Sequence, residues 1–495
     1  MLPDPKATVA QQAAAALPGY DPKTPAYYDK AGLRAELDRV YDVCHTCRLC
    51  FNLCGSFPAL FDAVDRQPAE VKGLTEADHE KVVDECFQCK ICFVKCPYTP
   101  PHAWQIDFPR LMLRASASYR KENGVSLRDR LLSQPQLAGE IGNATWPISN
   151  VMNEVKAHRW LFEKLVGIHR DKKLPPFAEQ KFETWFADHN DETRKQRSIA
   201  AEAAVARGEP APAPRDKVAL FWTCYVNWNE PEIGKATARV LDKNGIDVAA
   251  PAQVCCGMPS LDCGDVDGFL ARAEENLKVL EPLVDAGRTI VVTQPTCGYV
   301  LKQEYPNLLG GEAARKVAAK TMDVCEYLMK LETEGKLDKS FQGGLGAVSY
   351  HLPCHLQAQN IGYKSRDVMR LVPKTRVVLN ESCTAHDGTW AMKSEHFHDS
   401  LRIGKKSFDA VDEAEPKVVA SDCPLAGIQI EQGTGRKVYH PIQLVDAAYR
   451  GVSLTSPVDP KKKIVPPPAP PRNKPDTLAD VKPLTAEDVR KMGHI

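Results

Sequence analysis

Two short stretches of this 495-residue sequence each place four cysteines within eleven residues. Residues 44–54 (CHTCRLCFNLC) and 86–97 (CFQCKICFVKCP) both follow the pattern C-x2-C-x2-C-x3-C. Three closely spaced thiolates can bind three irons of one [4Fe–4S] cube, and in two-cluster proteins the fourth cysteine ligates the other cluster. The motifs therefore predict two [4Fe–4S] clusters. Their predicted ligands are Cys44, Cys47, Cys50 and Cys96 for cluster 1 and Cys86, Cys89, Cys92 and Cys54 for cluster 2.

Four-thiolate zinc sites are the alternative interpretation of these motifs. Structural zinc usually takes two C-x2-C pairs separated by a longer loop, which is not the spacing here. Gly55 stands where a proline usually follows the first motif, and this difference removes no ligand. Seventeen cysteines are too few for a disulfide scaffold in a chain of this length and too clustered for chance, which favours metal ligation in a reducing compartment.

The second half of the chain repeats a three-part cysteine pattern. VALFWTC (218–224) and VSYHLPC (348–354) each run from a strand-like stretch into a cysteine. Two further landmarks follow at near-equal intervals, 32 and 41 residues on in the first copy and 29 and 40 in the second. Open α/β sheets usually bind ligands at the carboxyl ends of strands, where we expect these cysteines to lie. The paired landmarks are Cys224 and Cys354, Cys256 and Cys383, and Cys297 and Cys423.

With this repeat the chain resembles the B subunit of heterodisulfide reductase and related Fe–S oxidoreductases. The ferredoxin-type motifs in front make it similar to the family of the iron–sulfur C subunit of anaerobic glycerol-3-phosphate dehydrogenase. The resemblance implies a metal cluster in each repeat and a role in linking a soluble dehydrogenase to the quinone pool. It rests on CYVNWNEPEIGK (224–235), CCGMP (255–259), PTCGYVLKQEYP (295–306), YHLPCH (350–355) and HPIQLVDAA (440–448).

In the first repeat the resemblance implies a third iron–sulfur centre. Gln294 stands where the family has another cysteine, so four thiolates remain, enough for an ordinary cluster and too few for the non-cubane type. Buried packing thiols are the alternative, but they leave the adjacent Cys-Cys pair unexplained. Cys263 and Cys325 match no motif and are predicted to be ordinary packed thiols. The implied ligands are Cys224, Cys255, Cys256 and Cys297.

In the second repeat the stretch 381–388 (ESCTAHDG) is a degenerate copy of the Cys-Cys-Gly motif. Ser382 and Ala426 replace family cysteines, which leaves three thiolates. Three interpretations remain: a fourth centre with a non-cysteine ligand, a metal with an open position for substrate chemistry, or a relic that keeps only the fold. The cysteines are Cys354, Cys383 and Cys423, and the nearest candidate ligands are His386, Asp387, His351 and His355, of which His386 and Asp387 are also the catalytic candidates.

The elements that must position these cysteines change along the chain. Residues 31–43 have the apolar spacing of an amphipathic helix that leads into the first motif. After residue 217, short β-rich runs alternate with helical patterns, which indicates βαβ units and a mostly parallel sheet. The predicted fold is therefore α+β and multidomain. Its divisions are a flexible N-terminal segment (1–30), a helical two-cluster ferredoxin domain (31–120), an amphipathic helical segment (121–197), a linker (198–217), a first cysteine-rich α/β domain (218–340), a second, degenerate one (345–452) and a Pro/Lys-rich tail (453–495).

One amphipathic helix is predicted within residues 146–168. Trp146 and Trp160 suit an anchor at a membrane interface, whereas packing of the apolar face on its own domain is the favoured interpretation. The apolar face consists of Ile148, Val151, Met152, Val155, Phe162 and Val166.

The composition narrows the class of protein. The chain is 43% hydrophobic and 26% charged with a formal net charge of zero, so no electrostatic feature favours nucleic acid as a partner. No apolar run reaches the roughly 18 residues of a membrane-spanning helix, and the N-terminus lacks the pattern of a secretory signal. We expect a cytoplasmic protein, or one peripheral on the inner face of the membrane.

The sequence also lacks a site for hydride chemistry. No GxGxxG follows a strand and no GxxxxGK[ST] occurs, which predicts no flavin, nicotinamide or nucleotide site. One-electron centres without a hydride acceptor need a redox partner. The predicted function is electron relay between a partner, such as a flavoprotein dehydrogenase, and a quinone or another acceptor. The alternatives are a stand-alone Fe–S oxidoreductase that acts at an open metal site in the second repeat, and a zinc-organised scaffold.

Overall fold

The computed structural model describes residues 19–207, 209–210, 214–466 and 468. Its first part is a helical module whose apolar stripes face one core. Helix α1 (Lys30–Cys47) begins where the Asp29 carboxylate accepts the backbone N–H of Gly32 at 2.7 Å, and its buried Leu33 and Leu37 recur at helical spacing. The remaining elements are α2 (Ser56–Asp65), a 3₁₀ turn (Glu70–Gly73), α3 (Glu76–Asp84), α4 (Ile91–Lys95) and α5 (Phe108–Asn123).

Residues 19–30 differ from the expected flexible segment because they are packed against the protein. A 3₁₀ turn (Pro25–Tyr28) buries Tyr27 in the core of the first α/β domain. The Arg114 guanidinium donates to the backbone carbonyls of Ala26 and Tyr27, both at 2.9 Å. Residues 1–18, which the same prediction covered, lie outside the described residues.

Four short helices follow, here called the cap helices: α6 (Leu127–Leu132), α7 (Pro135–Ala144), α8 (Ile148–Glu154) and α9 (Lys156–Val166). The prediction of one helix within 146–168 is wrong, because the chain is extended at Val155 (φ −75°, ψ 114°). β-branched valine has a restricted side chain in helices, and the ring of His158 donates to the Met152 carbonyl at 2.9 Å where α8 ends. The apolar residues of this segment therefore lie on two helices.

The expected linker at 198–217 is shorter than predicted. Helix α10 (Phe182–Ala206) continues through its first nine residues, since the sequence SIAAEAAVA is rich in alanine, the strongest helix former. The first strand then begins at Asp216.

Within the described residues the strands form two parallel four-stranded sheets with the same internal order, β2-β1-β3-β4 and β6-β5-β7-β8. This confirms the predicted pair of repeated α/β domains. The first contains β1 (Asp216–Phe221), α11 (Cys224–Trp228), α12 (Pro231–Lys243), β2 (Ile246–Ala249), α13 (Met258–Asp262), α14 (Val266–Asp285), β3 (Thr289–Val292), α15 (Pro295–Tyr299), a π-helix (Val300–Leu309), α16 (Gly311–Ala319), β4 (Thr321–Asp323) and α17 (Val324–Thr333).

The second domain repeats this arrangement with shorter connections. It contains β5 (Gly346–His351), α18 (Cys354–Ala358), α19 (Lys364–Leu371), β6 (Thr375–Asn380), a 3₁₀ turn (Trp390–Met392), α20 (Phe397–Glu413), β7 (Val418–Ser421), α21 (Pro424–Thr434), β8 (Val438–Tyr439) and α22 (Pro441–Tyr449). Equivalent strands pair in equivalent registers: Val218 lies opposite Thr289 in the first sheet, and Val348 opposite Val418 in the second.

The beginning of the predicted tail packs on the second domain. Arg436 and Val458 form an antiparallel bridge, and the buried Ser456 donates its backbone N–H to the Lys417 carbonyl at 2.9 Å. The tail prediction for residues 469–495 lies outside the described residues.

Candidate metal centres

The four cysteines predicted for cluster 1 lie together. The end of α1 supplies Cys44 and Cys47, and Arg48, in a left-handed conformation (φ 51°), turns the chain after them. Burial raises the pKa of the Cys44 thiol, and the nearby thiols of Cys50 and Cys96 raise it further. The backbone N–H of Tyr98 donates to the Cys96 sulfur at 3.4 Å. One small cavity is lined by Cys44, Cys47, Cys50 and Cys96.

The four cysteines predicted for cluster 2 also converge. Gln88 (φ 50°) and Lys90 (φ 64°) are left-handed, and this winding directs the backbone N–H groups of Gln88 and Ile91 at the thiols of Cys86 and Cys89. Such N–H groups stabilise thiolates and tune the potential of a bound cluster. A second small cavity is lined by Cys54, Cys86, Cys89 and Cys92. The cavity linings thus group Cys96 with the first motif and Cys54 with the second, and the crossing of the fourth cysteines stays a prediction.

The buried thiols predicted for cluster 2 do not ionise readily by themselves. Burial raises the pKa of Cys86 to about 12 and that of Cys92 well above its ordinary value. Buried thiols of this kind become thiolates only when a cation binds. The donor sets therefore fit iron–sulfur clusters, which supply single-electron transfer when bound.

In the first α/β domain the predicted ligands surround one point at the carboxyl ends of the strands. Gly257 is left-handed (φ 96°), and a Cβ there would lie 2.6 Å from the Phe269 ring, which explains the glycine after the Cys-Cys pair. The Asn276 amide donates to the Cys255 carbonyl at 3.2 Å, and the Tyr305 hydroxyl to the Cys256 carbonyl at 3.1 Å. The four thiols are close enough to change one another's pKa: Cys255 raises that of Cys224, and Cys255 and Cys297 raise that of Cys256.

In the second domain Cys354, Cys383 and Cys423 occupy the equivalent strand ends. The backbone N–H of Ala385 donates to the Cys383 sulfur at 3.2 Å, so residues 383–388 turn around this thiol. Cys383 is an exposed residue, and its thiol lies near Cys89 of cluster 2. Burial raises the pKa of Cys354, and among the neighbouring groups Cys89 raises it most. The second site is therefore next to cluster 2, a proximity that sequence spacing gave no means to predict.

Both repeat sites open into one cavity of about 1020 Å³ between the two domains. Cys89 also lines this cavity. Across the cavity, Cys297 is near enough to Cys423 to raise the pKa of that thiol. The cysteines in its wall are Cys89, Cys224, Cys255, Cys256, Cys297, Cys354, Cys383 and Cys423.

His355 joins the three sites and is not free to ligate a metal. Its Nε2–H donates to the Gln88 carbonyl at 2.9 Å, which leaves Nδ1 to accept from the Thr296 hydroxyl at 2.9 Å. Burial lowers its pKa to about 4, so the ring is neutral. Gln88 lies within the cluster 2 motif and Thr296 precedes Cys297. His355 therefore aligns cluster 2 with both repeat sites.

The ring of His351 also forms hydrogen bonds with other residues, whereas the side chains of His386 and Asp387 form none among the described residues. The ring of His351 bonds the Ser421 hydroxyl at 3.0 Å and the backbone of Ser382. Both ring nitrogens of His386 are sealed from solvent and have no hydrogen-bond partner among the described residues. Asp387 is partly exposed, and it lines the cavity.

A buried ion pair connects the ferredoxin-type module to the first domain. Lys90 Nζ lies 2.9 Å from a Glu304 carboxylate oxygen, and each side chain is only 4% exposed. Burial by itself raises the pKa of Glu304, but the cations of Lys90 and Arg110 outweigh it and leave the pKa below its ordinary value. Lys90 also donates to the Gln88 side chain at 2.8 Å. The pair was not predicted from the sequence, in which a lysine inside a cluster motif is its one signal.

The two cysteines outside the motifs lie apart from the cavity wall. The Cys263 thiol donates to the Ser260 carbonyl at 3.3 Å. Cys325 is buried with Asp323 and Asp422, whose ligand-type atoms lie within 4.8 Å of one another. The Tyr350 hydroxyl donates to Asp422 at 2.6 Å.

The cap helices expose an apolar surface, here called the cap patch. Phe162 and Val166 face the cavity, whereas Ile148, Val151 and Val155 face solvent, so the interpretation that the whole apolar face packs on its own domain is wrong. No helix among the described residues is long and apolar enough to span a membrane. The cap patch comprises Leu127, Leu131, Leu137, Ile141, Trp146, Ile148, Val151, Met152, Val155, Trp160, Leu161 and Leu165.

The fold and the sites define an iron–sulfur protein with a ferredoxin-like module and two cysteine-rich domains. Residues 218–302 and 348–431 match the CCG cysteine-rich domain, and residues 37–122 match the Fer4-like domain of citrate utilization protein B. The chain is a homologue of the C subunit of anaerobic glycerol-3-phosphate dehydrogenase: the Escherichia coli K12 protein is 29% identical over 342 residues, 68% of this chain and 81% of that protein.

Two further relatives match smaller parts of the chain. The B subunit of fumarate reductase (CoM/CoB) from Methanothermobacter marburgensis is 28% identical over 48% of this chain and 47% of its own length. Lactate utilization protein A from Geobacillus kaustophilus is 28% identical over 42% of this chain and 87% of its own length. The expected resemblance is confirmed, and the chain is an electron-transfer iron–sulfur component of an oxidoreductase system.

Proposed function

We propose that this chain carries electrons from a dehydrogenase partner through two [4Fe–4S] clusters to a quinone, which binds in the cavity between the two cysteine-rich domains. One observation carries the proposal: the cavity that contains the repeat cysteines is walled on its other side by the cap helices. Leu131, Ile141 and Met152 belong both to that wall and to the exposed cap patch. An apolar route thus leads from the surface to the cysteines, as a lipophilic acceptor requires.

The donor end lies at cluster 1. Cys47 is exposed, and Leu49 and Phe51 are exposed beside it. An apolar surface around a cluster ligand suits the docking of a partner protein. The relatives named for dehydrogenase and reductase subunits support a dehydrogenase as that partner.

Reduction of a quinone needs protons as well as two electrons, and residues of the cavity can supply them. Asp262 lines the cavity, and burial raises its pKa to about 7. A carboxyl group of that pKa can donate a proton near neutral pH.

The proposal is tested by closing the mouth of the cavity. Ala138 is exposed and lines it, whereas its neighbour Leu137 is exposed and does not. We expect Ala138→Trp to slow reoxidation of the anaerobically reduced chain by a short-chain quinone about tenfold or more, a barrier of about 1.4 kcal/mol. Stopped-flow absorbance measures the rate.

Leu137→Trp is the matched control and should keep the wild-type rate. Reoxidation by ferricyanide, a hydrophilic acceptor that does not need the apolar route, should be unchanged in both variants. Equal quinone rates in the Ala138→Trp and Leu137→Trp variants would place the acceptor elsewhere.

The cap patch is proposed to dock on an anionic membrane surface, from which the quinone enters. Trp146, between α7 and α8, and Trp160, on α9, are exposed there, and Lys156 and Lys164 also lie on α9. We expect Val151→Glu with Leu165→Glu to weaken binding to phosphatidylglycerol vesicles by at least about a hundredfold, because two buried aliphatic side chains contribute about 3 kcal/mol or more. Vesicle flotation measures binding.

The control for vesicle binding is Ile199→Glu, an equally exposed apolar residue on α10 outside the cap patch. It should float with vesicles like the wild type. Wild-type protein that stays unbound to these vesicles would contradict membrane docking and leave quinone reduction to be judged by the rates above.

A further inference from the structure

The second cysteine-rich site has three thiols and two partly exposed carboxyl groups. Cys354, Cys383 and Cys423 converge with Cys89, and two carboxyl groups, Asp262 and Asp387, line the same cavity. A Cβ built on Gly388 lies 3.0 Å from an Asp262 carboxylate oxygen, which places the 383–388 loop directly against Asp262.

Two of the nearby cations are already paired. Lys90 lies 2.9 Å from Glu304, and Lys393 lies 3.1 Å from Asp129, whereas Lys95 and Lys406 line the cavity without an ion pair among the described residues. Grouping thiols and carboxyl groups in one cavity wall is electrostatically unfavourable, and a bound metal cation would offset that cost. The donor set therefore suits an occupied second site.

Hydrogen bonding excludes two of the histidines as the fourth ligand. His351 and His355 use both of their ring nitrogens in hydrogen bonds. The ring nitrogens of His386 are sealed within the protein, and the buried amine of Lys172 lies near that ring. Burial lowers the pKa of Lys172 to about 7, and its protonated form disfavours metal binding at the His386 ring.

Asp387 lines the same cavity as the histidines, but its carboxyl group has no hydrogen-bond partner among the described residues and faces the thiols. It is near enough to Cys354, Cys383 and Cys89 to raise the pKa of each of them. Its backbone is held at φ 32°, a region that non-glycine residues rarely adopt, and Ala385 and Gly388 in the same loop are also left-handed. Strain of this kind persists where the surroundings hold a side chain in one position.

We propose that the carboxylate of Asp387 is the fourth ligand of the second cysteine-rich site and completes, with Cys354, Cys383 and Cys423, the donor set of an iron–sulfur cluster. The proposal rests on the iron–sulfur character of the chain and is independent of quinone binding and membrane docking. A carboxylate is a weaker ligand for such a cluster than a thiolate, so the iron it holds is the one most readily exchanged.

The test is iron and acid-labile sulfide per chain, with Mössbauer spectra, on full-length protein purified anaerobically. Cys383→Ser should lower the iron by about four, which shows that the wild-type site is loaded. Asp387→Ala should lose iron from this site, from about one to about four per chain. Asp387→Cys should retain the wild-type iron content and change the Mössbauer signature of one iron to thiolate ligation.

His386→Ala is the matched control, a change of the adjacent residue that should alter neither iron content nor spectrum. Loss of iron in His386→Ala with none in Asp387→Ala would overturn the proposal in favour of the histidine. Unchanged iron in Cys383→Ser would overturn it by showing an empty site. The quinone rates of the Ala138→Trp pair are unaffected by either result, so the two proposals fail separately.

Discussion

Cys92→Ser is expected to lose about four irons per chain and to isolate cluster 1 from the acceptor. Cys92 is the buried ligand of the predicted cluster 2, and burial and the thiols of Cys89 and Cys86 raise its pKa, with smaller effects of Cys54 and Cys50. It therefore lies between the two ferredoxin-type sites. A serine hydroxyl is a poor substitute for a thiolate ligand of iron.

The measurement combines iron content with electron paramagnetic resonance after reduction and mixing with quinone. In wild-type protein we expect the signals of both N-terminal clusters to disappear on the same time scale. In the variant the remaining signal, from cluster 1, should persist at least about tenfold longer, because the next centre on the route is missing.

Cys263→Ser is the matched control for this variant, since Cys263 is equally buried and touches no predicted cluster. It should keep the full iron content and the wild-type decay. Rapid decay of the remaining signal in Cys92→Ser would show that cluster 1 reaches the acceptor by another path, and the relay order proposed above would then be wrong.

The second large effect concerns stability. Glu304→Gln should lower the free energy of unfolding by about 3–5 kcal/mol, since it leaves the Lys90 ammonium buried without its counter-ion. The pKa of Glu304 is lower in the folded protein than its ordinary value of 4.5. Its stabilising contribution is therefore complete above that value and decreases as the pH falls through the folded pKa.

Urea denaturation at pH 7 and pH 4 measures both parts of this prediction. Glu281→Gln breaks an ion pair with Lys316 whose side chains are about one-third exposed, and it should cost less than about 1 kcal/mol. A double variant, Lys90→Met with Glu304→Gln, should recover most of the loss, because no charge is then left unpaired. A Glu304→Gln protein as stable as the Glu281→Gln protein would contradict the assignment of the pair as the clamp between module and domain.

The pair also connects stability with electron transfer. Lys90 lies between Cys89 and Ile91 within the cluster 2 motif, and Glu304 lies in a π-helix of the first domain. π-helical segments are rare and often occur at functional sites. The same contact that fixes the module on the domain thus places the paired charges of Lys90 and Glu304 beside the cluster 2 motif, and local charge is one of the factors that set the potential of a bound cluster.

Features that depend on local spacing could be predicted from the sequence. The two ferredoxin-type motifs and the duplicated strand–cysteine units follow from short intervals, because neighbouring residues can reach only a limited set of positions, whereas the crossing of the fourth cysteines stays a prediction. The parallel sheets followed from the alternation of β-rich and helical runs. Errors occurred where local signals were weak, as at Val155 and at the alanine-rich end of α10.

Which distant residues meet depends on long-range packing and could not be predicted from local spacing. Cys89 and Cys354 are far apart in sequence, yet the packing of the module on the second domain brings them to one cavity. His355 could be assigned a structural role only after its two hydrogen-bond partners, in two other parts of the chain, were known. Asp387 was one of four candidate ligands in the sequence. The burial and hydrogen bonding of the three histidines, which depend on long-range packing, distinguish it from them.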